Sequence, residues 1–250
     1  YFNPEHINRN LHGREELLKK FALSTEGWNY KEGEVKDLHF GTSFEGEFLL
    51  SLTSRLSLGV GAGYIYAEAT EEKTGITLER PSDTLLSVHP TKINVFPVFV
   101  SGYYFLPLSQ GMKLYLRGGS GLLWAEYIER AGNWVIPGNR FIQLIYQKAT
   151  ALAPFLFSSF GLSYEAHPDI RFFIEAEAKL ARTGEFQGDL EGGDTGTLFS
   201  YEEFNQNLGF WQAKNGLHQE KPSAEDFRRV EETVVGLSGF SLKIGIVIKF

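Results

Sequence analysis

The chain has no cysteine and a single methionine in 250 residues. Without thiols there is no disulfide and no cysteine-based zinc site. No apolar run approaches the ~20 residues that a membrane helix requires, and the chain is slightly polar on average. A helical membrane protein is thereby excluded, but a barrel, whose lumen and loops are polar, is not. The net charge of −7 leaves no basic stripe, which excludes a nucleic-acid surface. There is no signal peptide, and Tyr1 reads as a processed or trimmed start. Glycine (27) and phenylalanine (21) are abundant instead, a composition that suits many close-packed strands.

The clearest pattern stands at the C-terminus. Every second position gives Phe240, Leu242, Ile244, Ile246, Ile248 and Phe250, while Gly239, Ser241, Lys243, Gly245, Val247 and Lys249 lie between. That alternation is a strand with two unlike surroundings. In a soluble sheet the apolar row enters a core. In a transmembrane barrel it meets lipid, and the small and charged row meets a narrow lumen.

Seven further strand candidates precede it. Phe21 to Tyr30 is the first, followed by the turn signal 31–34. Phe40 to Leu52 carries Glu45 and Glu47 on one face, and two mid-strand carboxylates are costly in a dry core unless paired. Arg55 to Ala69 sets Leu56, Leu58 and Val60 against Ser57, Gly59, Gly61 and Gly63. Thr91 to Leu106, Met112 to Tyr127, Thr150 to Tyr164 and a strand through Phe172–Leu180 follow. Pro97 and Pro154 fall inside strands, where each removes a ladder donor and marks an expected bulge.

The connections alternate. Thr53-Ser54, Ser109-Gln110-Gly111 and His167-Pro168-Asp169 are tight turns, whereas about 70–90, 129–148 and 184–233 are long. Short turns on one side and long loops on the other are the rhythm of outer-membrane barrels. Aromatics gather near strand ends: Tyr64, Tyr66 and Trp124 toward the loops, Tyr103, Phe105, Tyr164, Phe172 and Phe250 toward the turns. Residues 1–20 differ from the rest, with a helix start at Asn3-Pro4-Glu5 and helix formers from Arg14 to Lys20. They read as an N-terminal periplasmic extension or tether, with the barrel occupying 21–250.

The polar strand faces hold Glu45, Glu47, Lys113, Arg117, Arg171, Glu175, Glu177, Lys179, Lys243 and Lys249, with acids and bases nearly balanced. About eight strands leave an interior that side chains just fill. These charges are therefore expected to pair as a structural plug and not to line a water path.

The chain resembles the small eight-stranded outer-membrane barrel proteins of Gram-negative bacteria over about residues 20–250. The resemblance rests on the strand rhythm and on Ile244, Ile246, Ile248 and Phe250, which are similar to the C-terminal signal read by the barrel assembly machinery. Ile248 departs from it, since an aromatic is frequent there. The resemblance implies an antiparallel up-and-down transmembrane barrel in the bacterial outer membrane, part of the cell envelope. Members include anchors, adhesins and defence proteins, small channels for apolar solutes, and lipid A-modifying enzymes, and fold does not choose among them.

An enzyme of this class needs a histidine with a serine or acid near the outer rim. His39, His89 and His218 lie on the loop side, with Asp37 near His39, and Asp83 and Ser87 near His89. His6 and His12 lie in the N-terminal extension, and His167 lies in a turn. Sequence neighbours do not make a triad, because geometry defines it. Asp189, Glu191, Asp194, Glu202 and Glu203 read as a solvated acidic loop without calcium-hand spacing. Phe199, Tyr201, Phe210 and Trp211 in the same loop are expected to pack against another loop or a protein partner. Residues 223–230, with a serine cap, early acids and later bases, predict a short helix. The expected role is non-enzymatic and without cofactor or metal: an anchor or partner-binding subunit acting through extracellular loops or the N-terminal extension. The rival functions are a small apolar-solute channel and a lipid-modifying enzyme. The rival fold is a soluble closed barrel that points its apolar row inward.

Overall fold

The computed structural model describes residues 5–38, 41–136, 140–190, 193–223 and 227–248. Asn3, Pro4, His39, Phe40, Glu191, Lys249 and Phe250 lie outside them, as do 224–226 of the expected short helix. The protein is all-β apart from two helices, and its strands form one antiparallel sheet of 14.

The chain opens with α1 (Glu5–Ser24), a helix of 20 residues that extends well beyond the helix formers from Arg14 to Lys20. Ile7, Leu11, Leu18 and Ala22 are buried along one side of it. Glu15–Lys19 and Glu16–Lys20 pair at 2.5 and 2.9 Å along the other, the i,i+4 spacing that supports a helix. The strand expected at 21–30 is therefore not formed. Residues 21–24 continue α1, and β1 (Asn29–Glu32) is a short strand bonded to β4 (Ile76–Arg80). Residues 5–20 are not a free tether, because α1 packs its apolar face into the loop-end core.

Seven strands make the main run, in the order β2 (Thr42–Ser51), β3 (Leu56–Ala69), β6 (Thr91–Ser109), β7 (Met112–Ile136), β8 (Arg140–His167), β9 (Ile170–Ala181), β14 (Gly239–Ile248). Each joins its neighbour antiparallel, and the tight turns at 52–55, 110–111 and 168–169 lie at one end. Among the described residues the run does not close: β2 bonds only to β3, and β14 only to β9.

At the other end the expected long loops are themselves sheet. The segment 70–90 folds as α2 (Glu71–Thr74), β4 and β5 (Asp83–Val88), and 129–148 is the upper part of the β7–β8 hairpin. The segment 184–233 contributes β10 (Gln187–Asp189), β11 (Thr195–Asn205), β12 (Phe210–His218) and β13 (Phe227–Glu232). β13 replaces the helix expected there, because it bonds along β11. β7 and β8 thus carry two sets of neighbours within the one sheet. Below they carry β6 and β9, and above they carry β5-β4-β1 on one side and β10-β11-β12 on the other. The upper strands wrap α1 around a core that includes Ile76, Leu78, Tyr127, Phe186 and Leu198.

In the lower run the alternation has one sense throughout. The outer face is mostly large and apolar, with Phe48 85% and Ile244 81% exposed, and the inner face carries the charged and small side chains together with rings such as Phe99, Phe155 and Phe157. Inside, Gly61 faces the Phe99 ring and Gly119 the Phe157 ring, and a Cβ at either glycine would overlap the ring. Tyr103 and Phe105, placed by sequence in an outer girdle, instead turn inward against Tyr115. Tyr64, Phe96 and Trp124 do line up outside, at 5.0 and 5.9 Å between rings. No bulge occurs at either proline. The register passes Pro97↔Leu123 and Pro154↔Leu122 unshifted. Pro154 sits one residue past the last β8–β9 pair, Phe155↔Ala181, where that ladder ends.

Gly13 brings α1 against β12, for a Cβ there would lie 2.6 Å from the Ala213 carbonyl oxygen. Gly13→Leu should lift the helix and lower stability by about 1–3 kcal/mol, the usual cost of overpacking. Denaturant unfolding followed by tryptophan fluorescence measures it, and an unchanged midpoint would contradict the docking.

Candidate functional site

Two polar clusters stand out, one inside the seven-strand run and one beneath α1. The first is centred on Arg117 of β7. Its Nη1 donates to Glu175 Oε1 at 2.9 Å and Glu177 Oε2 at 3.4 Å, and its Nη2 to Glu47 Oε2 at 3.0 Å. Strand alternation places these carboxylates: Glu175 and Glu177 are neighbours on the inner face of β9, and Glu45 and Glu47 on that of β2. Tyr103 and Ser101 donate to Glu47, and Tyr115 donates to Glu175 at 2.9 Å. Lys243 Nζ bridges Glu45 and Glu177 at 2.6 Å each, and Lys179 Nζ lies 3.5 Å from Glu45. The guanidinium also rests 4.6 Å from the Phe157 ring centre and 5.2 Å from that of Phe99.

The structure therefore brings together Glu45, Glu47, Arg117, Glu175, Glu177, Lys179 and Lys243. It leaves two of the expected residues apart. Arg171 pairs with Glu165 at 3.7 Å nearer the turns, and among the described residues Lys113 forms no ion pair with this cluster. Sequence reading missed Ser101, Tyr103 and Tyr115, although their inward parity was open to it.

The second cluster lies at the loop end. His89 Nε2 meets Glu129 Oε1 at 2.5 Å, with both residues buried. Asn10 of α1 donates to the same oxygen at 3.2 Å, and Tyr127 donates to Glu129 Oε2. Asn215 of β12 reaches the Tyr127 hydroxyl at 3.4 Å. Burial works against the Glu129 charge, but the imidazole of His89 and the two donors Tyr127 and Asn10 hold its carboxyl below the usual carboxylate range. Burial beside that carboxylate pushes the Tyr127 phenol far up. The sequence neighbours of His89 go elsewhere: Ser87 accepts from Arg14 Nη2 at 3.1 Å, and Asp83 pairs with Arg80. Glu129, forty residues from His89 in sequence, carried no signal by spacing.

The other histidines are dispersed. His6 lies 3.7 Å from Glu231, and burial lowers its pKa. His12 pairs with Asp37 at 2.6 Å, and His167 with Asp169 at 3.6 Å. His218 packs edge-on against Tyr201, and burial lowers its pKa. The acidic residues of 184–233 are separately engaged: Glu202 with Arg228 and Arg229, Glu203 with Lys214, and Asp194 with Gln219. Among the described residues no three His, Asp or Glu side chains converge as metal ligands. Phe199, Tyr201 and Phe210 are buried in the loop-end body, Lys20 sits 3.8 Å from the Phe210 ring centre, and Trp211 packs on Phe204. Ile244, Ile246 and Ile248 form an outward row on β14. Comparison with protein-family models, curated proteins and solved structures gives no match for this chain.

In both clusters charge meets charge, and among the described residues His89 Nδ1 and Arg117 Nε are buried without a hydrogen-bond partner. Arg117→Met should strand three carboxylates and cost about 3–5 kcal/mol, as for one partner removed from a buried pair. Urea unfolding reads it, and a loss below about 1 kcal/mol would show the network to be solvated. Because the Glu129 pKa is depressed in the fold, its contribution is complete above the ordinary value of 4.5 and falls away as pH drops through the folded value. Proteolytic clipping of α1 should therefore accelerate below pH 4.5, and Glu129→Gln should flatten that profile. Acceleration that persists in the variant would assign it to another group.

Proposed function

We propose that this chain is an integral outer-membrane barrel protein of a Gram-negative envelope, with no catalytic task. In this reading the sheet is an anchor, and the loop-end body holds a partner. The observation that carries it is the sense of the alternation in the seven-strand run. Phe44, Phe48, Val98, Leu116, Leu122, Leu152, Phe160, Ile174 and Ile246 all stand on the outer face, while the ion network fills the inner one. Water rejects such an outer surface, and lipid accepts it. The outer aromatic row Tyr64, Phe96, Trp124 sits where the apolar belt gives way to the loop-end body, as an interfacial girdle would. No helix among the described residues is long and apolar enough to cross a membrane, so strands would carry the crossing.

A filled interior speaks against a solute path. His89 and Glu129 lie sealed beneath α1, which speaks against lipid-modifying chemistry at that pair. A partner surface fits the projecting β7–β8 hairpin, where Ile136, Ile142 and Tyr146 are exposed beyond the belt. The outward row Ile244, Ile246, Ile248 is what the barrel assembly machinery would read.

Reconstitution tests the reading. In vesicles containing lipids brominated along the acyl chain, Trp124 should be quenched, and Trp124→Phe should remove most of the quenching. The same vesicles should show no steady conductance. An unquenched Trp124 would refute membrane insertion, and a stable single-channel current would refute the plugged interior.

A further inference from the structure

We propose that the open seam between β2 and β14 is a docking slot for one extended strand of another polypeptide segment, running from the turn end to the loop end. This rests on the membrane reading above. The argument starts from direction. β2 descends toward the turns, since Ser51 pairs with Ser57 across the first of them. β14 descends too, since Ile248 pairs with Ile170 just after the turn at 168–169. The two free edges therefore run the same way. Seven strands, each antiparallel to the next, cannot close by another antiparallel pair, and one added strand restores the alternation on both sides.

Lipid makes the vacancy expensive, because an open edge leaves a row of backbone N–H and C=O groups with no partner in hydrocarbon. The edges match in extent, each ten residues long. Both present continuous outer apolar rows, Phe44, Phe48 and Leu50 on β2 and Leu242, Ile244, Ile246 and Ile248 on β14. The inner rows show that the slot is unfilled. The side chains of Glu45 and Lys243, on the two edges, keep 14% of their surface, whereas Glu175 and Glu177 of β9 keep 2%. Ser43 and Ser241 are exposed although they point inward.

Charge defines the occupant further. The central network holds four carboxylates, Glu45, Glu47, Glu175 and Glu177, against three bases, Arg117, Lys179 and Lys243. The strand that fits is about ten residues long, like those beside it. Its outward residues are large and apolar, its inward ones small, and one of them is a base that meets the surplus carboxylate. Such strand addition takes affinity from the backbone ladder and specificity from the alternating side chains.

The probe is a fluorescent synthetic peptide with the sequence of Gly239–Ile248, which has this pattern and a central lysine, with a scrambled peptide of equal composition as control. Insertion of the chain is first confirmed by quenching of Trp124, so a failure there condemns the membrane reading and not this proposal. The chain has no native cysteine, so Gly46→Cys and Ile244→Cys can be placed together on the two edges. They are outward residues next to the Glu45–Lys243 pair. A disulfide needs Cα atoms within about 7 Å, whereas an inserted strand holds the edges about 9.5 Å apart, two strand spacings. The peptide should bind the inserted, unaltered chain one to one and slow disulfide formation in the double variant at least tenfold, and the scrambled peptide should do neither. Failure of the peptide to bind overturns the proposal. So does a disulfide that forms at the same rate with the peptide present, which would mean that β2 and β14 pair directly in parallel.

Discussion

The seven-strand run depends on keeping one guanidinium neutralised. Arg117 has carboxylates of β2 and β9 within 3.0 Å, on strands that lie on opposite sides of it in the sheet. Rolling the sheet brings those strands to the same centre. Removing the charges from water is costly, and only dense pairing offsets that cost. The inner aromatics sharpen this, since Phe99, Phe157 and Tyr103 stand around the guanidinium and displace water from it. The interior is therefore a packed object, and the small residues Gly61 and Gly119 provide the room for its rings.

The second constraint is the length of β7 and β8. At 25 and 28 residues they exceed the other strands and are shared by the lower run and the upper strands. A barrel-like lower run and a helix-filled upper body are thus one hydrogen-bonded object. α1 fills the upper part with a mixed face: Ile7 and Leu11 enter the apolar core, while Asn10 and Arg14 bond to Glu129 and Ser87. Such an interface is specific as well as cohesive, since Asn10 and Arg14 each have a particular partner to meet.

In the proposed reading the lower run meets lipid and the loop-end body stands on it to hold a partner. His89, Glu129 and Tyr127 bond to one another, to Asn10 of α1 and to Asn215 of β12, while His89 Nδ1 stays buried without a hydrogen-bond partner.

Much of the lower run was legible in the residues themselves. Period-two alternation requires only local backbone geometry, so the strands from Arg55 to Leu180, the last strand and the three tight turns could be read directly. The inner charges followed from the same parity. Two kinds of information were not local. Residues 21–30 have no strong pattern of either period, and the outcome was decided by α1 finding β12 and the loop-end core. The segments 70–90, 129–148 and 184–233 looked like loops because their strands are short or polar, and they became sheet only because β7 and β8 offered edges to bond to. By itself the sequence determined which side of each strand is apolar, because that is a property of neighbours two residues apart. The tertiary structure alone decided that Glu129 answers His89, that α1 fills the mouth, and that the two free edges run in the same direction. These depend on which distant segments meet, and no spacing along the chain encodes that.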